Sequence, residues 1–322
     1  METEEFVLVR DLLRSFAARF RVGSADDVKP AGAAAAREAL GELGLTELRR
    51  STPPAATVQE CGLLAEEHGS LPLPTSFLGT VLLAPELLRL LGAPVAPGRT
   101  PTIALARDLR FPGAGSSPLV AWDSEGADEA LCVFPDGTVT AAVLGPAAPS
   151  VDLLRAIRTA ESPGRVVGRL DPAGQQHWQA YALIVVASEL AGAARSFVEQ
   201  SVEYARERSQ YGRPIGSFQA VRHLLADATV LVEACASATR YAAWCLDHEP
   251  PQRALTAARV AKAEVNRSAL EAVYAGTQVF GGIAQTWEHI AHLYLRKVRV
   301  GATVLATTAD LLTELADPEA VR

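Results

Sequence analysis

Residues 172–208 read PAGQQHWQAYALIVVASELAGAARSFVEQSVEYARER. Apolar side chains recur along the whole stretch at helical spacing, which predicts one long helix. Three more such segments follow: Gly216–Asp247, Gln252–Phe280 and Glu288–Leu315. The connections between them, Ser209–Ile215, His248–Pro251 and Gly281–Trp287, are short. Short connections make successive helices antiparallel, so the segments predict a four-helix bundle. The apolar faces are wide, which suits a bundle that also buries surface against another chain. The run Ala180–Val186 is too short, and its continuation past Glu189 too interrupted, to predict a bilayer span.

Outward from the bundle, the chain divides into residues 1–95, 96–170 and 171–322. The first zone is helical. Phe6, Val9, Leu12, Leu13, Phe16 and Phe20 recur at helical spacing within Glu5–Phe20, and Ala33–Leu43 is rich in alanine. Thr57 followed by Glu60 is a capping-box pattern that starts a helix over Thr57–His68. Thr75–Leu91 reads as helical again. The second zone is broken by Pro94, Pro97, Pro101, Pro112, Pro118, Pro135, Pro146 and Pro149. Between the breaks lie four β-like runs, Thr102–Ala106, Leu119–Trp122, Ala130–Phe134 and Val139–Val143, with a turn at Pro135-Asp136-Gly137. The fold class is therefore mainly α with a small β domain.

The chain has 322 residues and a formal net charge of −7, with 49% hydrophobic and 21% charged residues. That is a globular composition, and a net negative chain is a poor non-specific binder of nucleic acid. Cys61, Cys132, Cys235 and Cys245 are far apart and show no metal-binding spacing, which predicts buried thiols in a cytoplasmic setting and no metal site. The acidic start, METEEFVLVRDLL, does not read as a secretory signal.

Chemistry points to two loops. Residues 206–219, RERSQYGRPIGSFQ, hold three arginines, an aromatic pair, two glycines and two glutamines. Arginine offers paired donors to phosphate, and glycine lets a ligand approach the backbone. The same residues also suit a solvated helix–helix turn. Residues 278–289, QVFGGIAQTWEH, end one helix at Gly281-Gly282 and start the next near Thr286, which leaves Gln278 and Trp287 unexplained by capping.

Taken together, YARERSQYGRPIGSFQAVRHLLAD (204–227) and QVFGGIAQTWEHIAHLYLRK (278–297) strongly resemble the acyl-CoA dehydrogenase family. The resemblance covers the bundle and extends weakly to LAEEHGSLPLPTSFLGTVLLAPELL (64–88). That segment looks like short actinobacterial-type members that act on steroid or other bulky acyl-CoA substrates. The resemblance implies an N-terminal helical domain, a middle β domain and a C-terminal four-helix bundle, with FAD shared across a subunit interface in a dimer or tetramer. By position, Arg208, Gln210, Tyr211, Ile215 and Phe218 match residues that reach the neighbouring subunit's FAD. Gln278 and Gly282 match the pair at its adenine and pyrophosphate side. The implied reaction is α,β-desaturation of an acyl-CoA or acyl-carrier thioester, in which a carboxylate removes the α-proton.

Here the sequence departs from the family. The usual place of that carboxylate falls on Leu305, before Ala306-Thr307. The minority place falls on Ala182, beside Leu183. Asp310 lies more than a turn beyond Leu305. Glu189, two turns after Ala182 on the same face, is the candidate relocated base, with buried pairing as its other reading. Glu288 matches a position usually acidic near the cofactor, and His289 and His292 suit surface or packing roles. The β zone is short for the family, and Phe111–Ser117 fits either a flavin-contacting loop or a plain linker. Three readings stay open. The chain is the base-lacking subunit paired with a homologous acyl-CoA dehydrogenase chain, a self-sufficient flavoenzyme with a relocated base, or a non-redox member of the fold.

Overall fold

The computed structural model describes residues 4–95, 98–161 and 164–317, so the expected break at Pro97 lies outside the described residues. The N-terminal helices are α1 (Glu4–Phe20), α2 (Pro30–Glu42), α3 (Val58–Gly69) and α4 (Ala84–Leu91). The capping box at the start of α3 is formed: the Thr57 hydroxyl accepts from the Glu60 N–H at 3.1 Å, and the Glu60 carboxylate accepts from the Thr57 N–H at 2.8 Å. The next two free N–H groups, of Val58 and Gln59, donate to Asp247 at 2.9 and 3.0 Å. A carboxylate from far along the chain thus completes the cap and complements the positive end of the helix. The predicted helix Thr75–Leu91 is not uniform, because Phe77–Leu83 is wound as a π-helix before α4 begins.

Six strands follow: β1 (Pro101–Ala106), β2 (Leu119–Trp122), β3 (Glu129–Val133), β4 (Thr138–Ala148), β5 (Ile157–Ala160) and β6 (Arg165–Arg169). The order is β3-β1-β2-β5-β4-β6, and β4 also pairs with β3, so the first five strands close on themselves. β1 and β3 run parallel, and the other pairings are antiparallel. Small side chains, among them Ala104, Ala121, Ala130 and Cys132, fill the interior, as a narrow closed sheet requires. The turn at 135–137 is as expected, with Gly137 at φ +84°. β5 and β6 are additions to the four predicted runs.

The bundle is α5 (Pro172–Glu207), α6 (Gln219–His248), α7 (Pro251–Phe280), α8 (Ala291–Gly301) and α9 (Thr308–Ala316). Its expected fourth helix, Glu288–Leu315, is two helices. The chain leaves α8 after Gly301, and Thr307 caps a new start by accepting from the Asp310 N–H. α5 is the core element. It is long and apolar enough to cross a bilayer, but 89% of its most apolar window is buried inside the protein. All four cysteines are buried and free.

α3 packs on α5 through two glycines. A Cβ on Gly69 would lie 2.0 Å from the Glu189 carbonyl oxygen, and one on Gly192 would lie 1.9 Å from that of Glu66. Backbone meets backbone there, so neither contact can be relieved by a side-chain rotation. Gly192→Ala must push α3 off α5 and should lower the unfolding free energy by about 1–3 kcal/mol. Gly282→Ala, with nothing within 4 Å of its new methyl, should leave it nearly unchanged. Urea denaturation of the two variants checks the contrast.

Candidate functional site

The turn between α8 and α9 carries the position where the family resemblance places its base. Leu305 sits there at φ +71°, 1% exposed. Its N–H donates to the Leu109 carbonyl at 2.8 Å, and its carbonyl accepts from the Phe111 N–H at 3.0 Å. From the bundle side, the Lys262 ammonium donates to the Gly301 carbonyl at 3.0 Å and to the Asn266 side chain, whose amide donates to the Ala306 carbonyl at 3.2 Å. Burial pushes Lys262 down to about 7. The turn is therefore clamped from two sides.

Beside it is a cavity of about 310 Å³ lined by Leu305, Phe111, Phe134, Trp178 and Leu183. Asp310 and Glu314 also line it, which the sequence reading missed by treating residues 288–315 as one helix. Neither acid is free. Asp310 accepts from the Thr307 N–H and hydroxyl at 2.9 and 2.6 Å and lies 3.3 Å from Arg110. Those hydrogen bonds hold its carboxyl below the usual range. Glu314 lies 2.7 Å from Arg259. At the alternative seat, Ala182 is fully buried.

Glu189 is 2% exposed and does not line that cavity. Its carboxylate receives Arg155 at 2.6 Å, His68 Nδ1 at 2.9 Å and Lys297 at 3.3 Å. Arg155 in turn lies 2.7 Å from Asp123 and 3.6 Å from Asp152, with its guanidinium over the Trp122 ring. Burial raises the Glu189 carboxyl, but Arg155, Lys297 and His68 outweigh it and hold it well below the carboxylate range. Burial pushes His68 down to about 4 and Asp123 up to about 6. The pairing alternative for Glu189 is the arrangement present.

The two loops lie together at one end of the bundle. Ala205, Leu225 and Val279 form a small apolar cluster with Ile215 packed against it, so the turns after α5 and α7 make one surface. Residues 209–214 form a tight hairpin, β7 (Ser209–Gln210) and β8 (Arg213–Pro214), with Tyr211 and Gly212 both at positive φ. Tyr211 is 92% exposed and meets Phe218 edge-on, while Arg213 lies over Phe218. Arg208, Gln210 and Gln278 are exposed, and Gly282 leaves open space above its backbone. The side chain of Arg208 has no partner among the described residues. An unpaired guanidinium, two free amides and an open glycine turn form a donor set that fits an anionic dinucleotide. His289 packs on Phe280, His292 stacks on Trp287, and the Trp287 N–H donates to Asp26 at 2.9 Å, so these residues pack the start of α8.

These two regions cannot serve one site within a chain. Leu183, beside the cavity, and Arg208 are 25 residues apart along α5, about 37 Å at 1.5 Å per residue.

Residues 181–307 match the family described as acyl-CoA dehydrogenase, C-terminal domain. The acyl-CoA dehydrogenase IpdE2 of Mycobacterium tuberculosis is 40% identical over 135 residues, 42% of this chain and 40% of that protein. The match thus spans less than half the length of that relative. IpdE2 of Mycolicibacterium smegmatis is 30% identical over 260 residues, 80% of this chain and 77% of that protein. Among solved structures, a variant of the Tcur3481-Tcur3483 steroid ACAD superposes with a TM-score of 0.80, covering 98% of this chain and 97% of that one. At 22% identity, that likeness is one of fold.

Two outcomes follow for the Glu189 cluster. Glu189→Ala strands Lys297 in the interior and takes from Arg155 one of its three carboxylates, and should lower the unfolding free energy by about 3–5 kcal/mol in urea. Acidification separates its neighbours. His68 binds its proton near pH 4 when folded but near 6.5 when unfolded, so its contribution to stability falls as pH drops across that window. Asp123, raised from 3.8 to about 6, gains stability over nearly the same range. Relative to wild type, His68→Gln should therefore gain, and Asp123→Asn lose, about 3 kcal/mol between pH 6.5 and 4. Equal slopes in all three proteins would contradict this.

Proposed function

The chain belongs to the acyl-CoA dehydrogenase family, and from that premise we propose that it is the base-lacking subunit of an FAD-dependent enzyme that desaturates an acyl-CoA or acyl-carrier thioester. One observation carries the reading. The base seat is filled by a buried leucine whose acidic neighbours are tied to arginines, while the dinucleotide-fitting loops are exposed and unpaired at the far end of α5. Bound FAD would supply the hydride acceptor of the reaction.

Arg208 would hold its diphosphate, with Gln210, Gln278 and the open backbone at Gly282 as further donors. Tyr211, Ile215 and Phe218 would form the apolar side of the same surface. Because that surface lies about 37 Å from the chain's own cavity, the flavin it holds belongs to a neighbouring protomer's site. At the seat, Leu305 neither takes nor gives a proton, and Glu189 is assigned a structural part. The α-proton is then taken by a carboxylate of a homologous partner chain. The name of the superposed steroid ACAD joins two proteins, Tcur3481 and Tcur3483, which supports a two-chain assembly here.

A second reading rests on Glu314, which lines the cavity and is half exposed. If the Arg259–Glu314 pair opened, the chain would carry its own base.

The test is to purify the chain alone and together with the product of a neighbouring homologous gene, then measure flavin absorbance and acyl-CoA desaturation. The lone chain should lack turnover and the pair should show it. Arg208→Ala should weaken flavin retention by the pair about ten- to a hundredfold, and Leu305→Ala should leave kcat within about twofold. Turnover by the lone chain would overturn the reading, and its loss in Glu314→Gln would identify the second one.

A further inference from the structure

A second cavity, about 580 Å³, shares no lining residue with the flavin loops and lies where α2, the π-helix, the approach to β1 and the β2–β3 turn converge. Three arginines from three separate segments line it: Arg37 on α2, Arg50 after the following 3₁₀ turn, and Arg99 before β1. Arg50 is held by Glu47 at 2.6 Å. Arg37 and Arg99 form no ion pair with any described residue. Arg37 is seated against Gly126, at φ +69°, where a Cβ would come 1.8 Å from the arginine stem. The positive φ of Gly126 favours glycine there, and the Ser76 hydroxyl fixes the same turn by donating to the Glu125 carbonyl at 2.8 Å.

The rest of the lining completes a chemical signature. Glu38 and Glu125 line the cavity without basic partners among the described residues, and Leu40, Val81 and Pro85 give it an apolar floor. Guanidinium groups take phosphate oxygens. Unpaired carboxylates take the hydroxyl or amine protons of a ribose or base. An apolar floor takes the flat face of a ring, and the volume is that of a small-molecule site.

We propose that this cavity is a nucleotide site, taking a phosphate-bearing ligand with a ribose and base, separate from the dinucleotide surface at Arg208. Two sources share that chemistry: a free nucleotide, or the nucleotide end of CoA.

Calorimetric titration of the full chain with ADP, with CoA and with inorganic phosphate tests it. ADP or CoA should saturate one site, and preference between them names the source. The double substitution Arg37→Ala, Arg99→Ala should weaken that binding at least about tenfold, through two lost charge-assisted hydrogen bonds. Glu38→Gln should weaken it for the nucleotide and leave phosphate unaffected, which keeps the proposal testable if the double variant is unstable. Arg208→Ala should lower flavin content and leave ADP affinity unchanged, so the two sites fail separately. Absence of saturable nucleotide binding would overturn the proposal, as would equal affinity in the double variant. Inorganic phosphate binding as tightly as ADP would do the same, as an adventitious ion only.

Discussion

The buried carboxylate of Glu189 is the joint on which the assembly of this chain depends. It sits on α5 and receives His68 from α3, Arg155 from the β region and Lys297 from α8. Three otherwise separate packing units thus share one charge. Burying that charge is costly, and only the surrounding cations with good geometry offset it. The geometry exists because Gly69 and Gly192 let α3 lie backbone to backbone on α5, which brings His68 within reach of Glu189. The same joint bears on chemistry. A carboxylate gripped by an arginine, a lysine and a histidine has no free lone pair aimed at a substrate and is a poor proton acceptor.

With Glu189 committed to the joint, the two ends of α5 divide the work. Near the N-terminal end is a cavity with an aliphatic side chain at position 305. At the C-terminal end is an open polar surface made by two turns. A straight helix of this length cannot bring its ends together, so the polar surface and the cavity stay apart within one chain. Tyr211, almost wholly exposed at the tip of a tight hairpin, fits that view. A large aromatic ring in the left-handed region is held in solvent, where only a neighbouring molecule would cover it.

The sequence revealed what depends on local pattern. The helical period located α1 to α3 and three of the bundle helices within a few residues. Thr57 with Glu60 marked a helix start, and Pro135-Asp136-Gly137 marked a turn. What depends on tertiary contact was not legible. The break between α8 and α9 contains neither proline nor a turn dipeptide, and Leu305 takes its left-handed conformation because Leu109 and Phe111 pair with it. β5 and β6 carry little alternation: Ile157-Arg158-Thr159-Ala160 is mostly part-exposed, and Arg165–Arg169 is open to solvent on most positions. The π-helix at Phe77–Leu83 looks apolar and helical in sequence, and only its contact with β1 and Asp123 through Gly79 distinguishes it. At the candidate site, the family resemblance placed its two base positions on Leu305 and Ala182, and the structure buries both side chains. The acids lining the cavity were not legible, because the helix break that turns them inward was not.

The clamp around Leu305 shows what that turn does in this chain. Lys262 is fully buried and has no carboxylate beside it among the described residues. Its donors go to Gly301 and Asn266, and Asn266 reaches Ala306. A buried ammonium without a counter-charge is costly, and only these two oxygen acceptors offset that cost. Yet the turn also carries the backbone pairing of Leu305 with residues 109–111, which fastens the β region to the bundle. Removing the clamp would free the ends of α8 and α9 and with them the wall of the cavity. The turn therefore keeps its architecture with a leucine at position 305, because it joins two parts of the fold whether or not a proton is moved there.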